Sequence, residues 1–164
     1  MATNAVYQKP GTAIVFTETG GSATFTPRNV ANGAGRVSTK YDRGSGALPM
    51  RFKMEATFKA QAACTIGLPA RIYAYSFQNG AAAADYVADA AVSAETQFAN
   101  FQLIGSVYAS SSAVGPFFGS WDVVLLGQYI VVGMWNASGQ ALTNVNGDNK
   151  ITLTPIFEDI QAAT

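Results

Sequence analysis

From Met50 to Ala60 the chain reads MRFKMEATFKA, with Met50, Phe52, Met54, Ala56, Phe58 and Ala60 on one parity and Arg51, Lys53, Glu55, Thr57 and Lys59 on the other. A side-chain period of two is the mark of a strand with one face on a core and the other in water. On a helix the same letters would scatter apolar groups around the whole cylinder. Met50–Ala60 is therefore predicted to be a long half-buried strand over a sheet-built core.

The same reading places further strands along the chain. Ala13–Thr17 and Ala23–Thr26 are rich in β-formers and flank Glu18–Ser22, which predicts a hairpin. Pro27–Gly35 reads as a loop, Arg36–Tyr41 as an alternating strand and Asp42–Pro49 as a second loop. In Ala70–Phe77 the large residues Arg71, Tyr73, Tyr75 and Phe77 share one parity and Ala70, Ile72, Ala74 and Ser76 the other. That pattern fits a strand packed on both faces, the bulky face against this chain or another subunit. Asn79–Asn100 is irregular and Ala-rich, and carries either a short helix near Ser93–Phe98 or a long loop over one end of the domain. Phe101–Ala109 and Gly115–Leu126 read as strands around a turn at Ser110–Ser112. Tyr129–Trp135, YIVVGMW, is continuously apolar and predicts a central strand. Asn146-Gly147 is a hairpin signal, and Pro155 puts the end of the strand Lys150–Phe157 at a sheet edge.

About eight or nine short strands, Gly-rich turns and no long helical pattern predict an all-β chain, a single-domain antiparallel β-sandwich of jelly-roll-like form. Residues 12–160 make the sandwich. Met1–Gly11, small, polar and ending at Pro10-Gly11, reads as an extended N-terminal arm, and residues 161–164 as a C-terminal tail. The arm and the Asn79–Asn100 loop are the stretches expected to touch neighbouring copies.

Composition narrows the function. Charged residues make up 12% of the 164, about half of the roughly 25% usual in soluble domains. With 49% hydrophobic and 12% aromatic residues the chain folds, and so few charges imply either a surface of small polar residues or one covered by partners, the second being the favoured reading. Formal net charge is zero but uneven: residues 1–80 hold nine cations against three acids, +6, and residues 81–164 one cation against seven acids, −6. Two oppositely charged faces would favour head-to-tail or lattice contacts, whereas interleaved strands would neutralise each other.

Chemistry is mostly excluded. With no histidine, a Ser-His-Asp or Cys-His centre and the usual zinc site are ruled out. One cysteine, Cys64, forbids an internal disulfide and reads as a small buried hydrophobe. No phosphate loop is present, and Gly33, Gly35, Gly44 and Gly46 lack the strand-then-helix setting of a dinucleotide site. Asn144–Asn149 resembles an oxygen-rich calcium loop but lacks the terminal Glu of an EF-hand, and a turn explains it better. Asn136-Ala137-Ser138 is a formal glycosylation sequon, taken as coincidence. No catalytic, cofactor-binding or metal-binding residue is assigned, and no cofactor. Arg51, Lys53 and Lys59, with Arg36, Lys40 and Arg43 nearby, make a basic face of the kind that nucleic acid uses. Glu55 interrupts it, so a solvated face or an acidic partner is the better reading. Tyr73, Tyr75, Trp121 and Trp135 offer a sugar-stacking platform as an alternative to core packing. No secretory signal and no membrane-length apolar run are seen, so a chain made in the cytoplasm is expected.

Gly33–Tyr75, GAGRVSTKYDRGSGALPMRFKMEATFKAQAACTIGLPARIYAY, resembles a group of small structural proteins of tailed bacteriophages. These similarly join a strand, an Arg-x-Ser…Tyr-Asp-Arg-Gly loop and a long alternating strand to a Gly-started strand that ends in Ile-Tyr. Leu103-Ile104-Gly105, Gly115-Pro116-Phe117, Trp135-Asn136-Ala137 and Leu153-Thr154-Pro155 look similar as well. The likeness covers most of the chain, and its motifs are short and non-catalytic, so no site residue is carried over. It implies a non-enzymatic virion protein, a head decoration or cement protein whose partners are its own copies and the major capsid protein. The alternatives it leaves are a carbohydrate-binding module of a tail or fibre, and a tail-tube or head-completion component.

Overall fold

The computed structural model describes residues 5–45, 48–78, 88–109 and 114–161. Among them are twelve strands: β1 (Ala5–Pro10), β2 (Ile14–Thr17), β3 (Ala23–Thr24), β4 (Ala34–Val37), β5 (Tyr41–Asp42), β6 (Arg51–Phe58), β7 (Pro69–Phe77), β8 (Ala90–Val92), β9 (Gln102–Tyr108), β10 (Phe117–Val124), β11 (Tyr129–Asn136) and β12 (Lys150–Gln161). The one helical turn described is of 3-10 type, Glu95–Phe98, inside the stretch where a short helix was an option. One sheet runs β10-β6-β12-β2-β3 with β1 also on β12, and the other runs β8-β4-β11-β7-β9 with β5 also on β11. Every pairing is antiparallel except that of β2 with β3. The chain is all-β with two sheets, as its periodicity predicts.

β6 realises the alternation of its sequence. Phe52, Met54, Ala56 and Phe58 are buried while Arg51 is exposed and Lys53, Glu55 and Thr57 are half-buried. The inward residues meet Ala70, Ile72 and Ala74 of β7, Ile130, Val132 and Met134 of β11, and Ile151 and Leu153 of β12 in one apolar cluster between the sheets. Met50 departs from its parity: it is 58% exposed, because the strand begins one residue later.

β11 is the central strand that its apolar run predicts, buried along nearly its whole length between β4 and β7. Its other face, with Val131 and Trp135, is covered as well, since Tyr73 and Phe77 of β7 join Val37, Val92 and Phe98 in a second cluster outside the sheet. The bulky face of β7 thus meets its own chain: the cover is residues 88–101, the latter part of the irregular stretch expected to touch neighbours. Gly133 and Gly35 provide the seat. A Cβ at Gly133 would overlap the Phe98 ring, and one at Gly35 would overlap the Met134 carbonyl and crowd the Trp135 and Phe98 rings, so these strand glycines are required for close approach.

Several expectations are corrected. Ala13–Thr17 and Ala23–Thr26 do not form a hairpin, since β2 and β3 pair in parallel. The intervening loop folds back, with the Ser22 amide donating to Val15 O at 2.7 Å and the Val15 amide to Ser22 Oγ at 3.1 Å. The chain therefore re-enters in its original direction. The Arg36–Tyr41 strand is split: β4 ends at Val37, where Ser38 interposes itself, its hydroxyl accepting from the Val132 amide at 3.0 Å, and β5 resumes at Tyr41. Asn146-Gly147 is a turn, Gly147 having φ +83°, yet not a hairpin. β11 and β12 lie in different sheets because each already has partners on both edges.

Pro155 is likewise interior, facing Phe52 of β6. It is tolerated because a residue's N–H and C=O point to the same side of a strand. Its carbonyl accepts from the Gly11 amide at 2.8 Å, so its missing donor faces the break between β1 and β2. Finally, Ala5–Pro10 of the expected arm is β1, zipped onto the second half of β12, whose edge would otherwise be bare. Met1–Asn4, Gly46–Ala47, Asn79–Val87, Ser110–Ala113 and residues 162–164 lie outside the described residues, and with them the serine turn and the last residues of the tail.

A Gly133→Ala change should lower unfolding free energy by about 1–3 kcal/mol, the usual range for overpacking a filled site. Urea denaturation measures it, as a lower midpoint with an unchanged slope.

Candidate interaction surfaces

None of the described residues form a group of three or more Cys, Asp or Glu that would hold a metal ion. The carboxylates are instead used to hold strands. Arg36 of β4 grips Asp89 through Nε–Oδ1 at 2.8 Å and Nη2–Oδ2 at 2.6 Å. Arg71 of β7 holds Glu95 at 2.5–2.6 Å, Lys59 stands 3.2 Å from Asp148, and Lys53 of β6 3.7 Å from Asp122 of β10. All four pairs join a cation of the basic first half to an acid of the acidic second half. Arg28 and Glu18 form a fifth pair within the first half. The charge asymmetry is thus largely spent inside the molecule, not displayed as two faces.

Arg71, Tyr73 and Glu95 form the most strongly interacting titratable group. The Tyr73 hydroxyl donates to the Glu95 carboxylate that Arg71 also holds. Burial, and then the adjacent carboxylate, push the Tyr73 phenol up to about 12. Burial alone would raise the Glu95 carboxyl, but the hydrogen bonds from Tyr73 and Arg71 outweigh it and hold it below its ordinary value. Its bond to Glu95 raises the Arg71 guanidinium in turn. The arrangement ties the covering segment 88–101 to β7. Its geometry is that of a clamp.

The rings proposed for sugar stacking are dispersed into packing. Tyr73 stacks on Phe98 with centroids 4.4 Å apart, and Tyr75 lies between Phe77 and Phe101. Trp135 is only 9% exposed. Trp121 points inward from the edge strand β10 across Gly105 of β9, where a Cβ would collide with the indole. It closes the open side between the two sheets. No shared platform is formed by these four.

The basic residues are dispersed too. Arg51, Lys53 and Lys59 keep to the outer face of β6, but Arg36 is bound to Asp89 on the other sheet, and Lys40 lies over the Tyr129 ring at 5.5 Å. Arg43 turns under Phe52, 5.4 Å from its ring centroid, and donates to the carbonyls of Pro49 and Gly127. Burial lowers its pKa. The asparagine stretch serves as a strut: Asn149 Oδ1 accepts from the Lys59 amide at 2.8 Å and Asn146 donates to Thr19 Oγ1 at 2.7 Å. Asn136 of the sequon is fully buried, donating to Val30 O and Gln140 O. Cys64 is buried as expected, and desolvation raises its thiol pKa.

Surfaces remain where sequence periodicity gave no signal. At one end of the sandwich Met50, Val124, Leu126 and Phe157 are 43–60% exposed, and at the other Ile66, Leu68, Tyr108 and Val114 are 37–64% exposed. Apart from Phe157 within β12, these are loop and strand-end residues, so no alternation marks them. Near Phe157 lie hollows of about 270 and 370 Å³, the second with Arg43 beside Ile14 and Phe52.

Tyr73 favours its neutral form when folded, so its contribution is complete below pH 10 and is lost as pH rises toward 12. Tyr73→Phe should cost about 1 kcal/mol near neutrality and flatten the loss of stability between pH 10 and 12. Denaturant titrations at stepped alkaline pH would show it.

No family model, no curated protein and no solved structure matches this chain.

Proposed function

We propose that the chain is a non-enzymatic virion structural protein, a decoration or cement protein that lies on the outside of a phage head and stabilises it by contact. The observation that carries the reading is strand order. Taking β2, β4, β6, β7, β9, β10, β11 and β12 as eight principal strands, one sheet holds the first, eighth, third and sixth, the other the second, seventh, fourth and fifth. This order supports reading the fold as a jelly roll, two interlocked Greek keys, an architecture that recurs in viral capsid and lectin domains. Fold alone does not fix function.

Three further features support adhesion over chemistry: charges neutralised in internal pairs, exposed apolar residues at both ends, and titratable groups used as clamps. An adhesive tile needs contact area of about 1,600 Å² per interface, multiplied by repetition over a lattice. Its partners on this reading are its own copies and the major capsid protein, and its place is the virion. The sugar-binding alternative stands second, since the rings it would use are engaged in packing.

Gold-labelled antibody against the chain, applied to particles of the source virus, should mark the head at many regularly spaced points. Label confined to the tail, or label on no particle, overturns the proposal.

A further inference from the structure

β12 outlasts its neighbour. β6 accompanies it only as far as the pair Ile156–Arg51, after which Phe157–Gln161 pair with β1 alone. β1 and β2 lie along the same edge of β12, nearly in one line, with Gly11–Ala13 as the irregularity between them. The outer end of this sheet is consequently, among the described residues, a ribbon two strands wide. Among the described residues nothing pairs with Phe157–Gln161 on the β6 side, or with the outer edge of β1. A lone two-stranded ribbon is marginal in water, and bare edges invite a further strand.

The two edges differ in charge. β1 contributes one cation, Lys9, and no acid, while the end of β12 contributes Glu158 and Asp159 and no cation. Lys9 and Glu158 are both exposed, and neither is drawn into an ion pair among the described residues. Within one chain the two strands already pair antiparallel, with Lys9 opposite Phe157 and Gln8 opposite Glu158. Beside the open edge of β12, where Leu48, Pro49 and Met50 diverge from Ile156 and Phe157, lies the hollow of about 270 Å³.

We propose that copies of this chain join by strand addition, β1 of one copy pairing with the open edge of β12 residues 157–161 of the next. Main-chain hydrogen bonds hold the two together, Lys9 meets the acidic edge, and the apolar hollow takes a side chain from the incoming strand. Joining β12 to β12 through a two-fold axis would set Glu158 against its own copy, which like-charge repulsion disfavours. The contact is therefore heterologous, closing into a ring where the rotation permits it. It deepens the tile reading by naming the edge through which copies meet, and purified protein tests it without any particle. Its failure leaves the antibody-labelling result untouched.

Two single-cysteine proteins are made in a Cys64→Ser background, one Gln8→Cys and one Glu158→Cys. Neither can form a disulfide within one chain. On mixing under mild oxidant, the heterodimer should exceed the two homodimers well beyond the statistical two-to-one-to-one proportion on non-reducing gels. Light scattering of the wild-type chain should show an oligomer that Glu158→Lys dissociates and the double change Glu158→Lys with Lys9→Glu restores. A statistical disulfide mixture, or a wild-type monomer at its highest soluble concentration, overturns the inference. A monomer that assembles only when capsid protein is added would assign the edge to that partner instead, and overturns it equally.

Discussion

The structure depends on two strands that are held from both edges, β11 through most of its length and β12 as far as Ile156. β11 is flanked by β4 and β7 and buried on both faces, and β12 is flanked by β6 on one edge and by β2 and β1 on the other. A backbone polar group in such a place has no water to fall back on, so each neighbour must supply the missing hydrogen bonds. That requirement explains why the chain crosses between sheets instead of forming local hairpins. It also explains why both central strands have one long continuous partner and one broken partner. Where the broken partner interrupts, a local group fills in, Ser38 beside Val132 and Gly11 beside Pro155.

Electrostatics closes what the sheets leave loose. Exposed ion pairs are worth little singly, around 0–1 kcal/mol. The two-point grip of Arg36 on Asp89, and that of Arg71 on Glu95, do more by position: both fasten segment 88–101 across the aromatic face of its sheet. Without that cover, Tyr73, Phe77 and Trp135 would face solvent, and an apolar face of that size would attract any surface available. The sparse charges of this sequence are thus concentrated where they keep one sheet from becoming sticky. Adhesion is left to the ends and the ribbon.

How much of this was legible in the sequence follows from the range of each signal. Alternation is a local property, so β6, the two-sided β7 and the buried β11 could be read from their letters. The break at Ser38 could not, because RVSTKY alternates straight through it and the interruption is imposed by β11 alongside. Partner choice was invisible for the same reason: Asn146-Gly147 specifies a turn, and whether its flanks pair is decided by edges elsewhere. Nothing in YIVVGMW itself gives Gly133 a purpose, which comes only from the Phe98 ring arriving from 35 positions earlier. The candidate surfaces were hidden most completely, since strand ends and loop residues obey no period. Absence of histidine excluded a good deal of chemistry, but the molecular contacts that replace it had to be seen in three dimensions.

The ribbon has one last consequence. Since β1 and β12 run in opposite directions with Ala5 beside Gln161, the first and last described residues lie together at a single corner. Anything spliced ahead of Ala5 or behind Gln161, whether a tag, a fluorophore or a foreign epitope, departs from that corner. The opposite end of the sandwich, where Ile66, Leu68 and Tyr108 protrude, stays unencumbered by either graft.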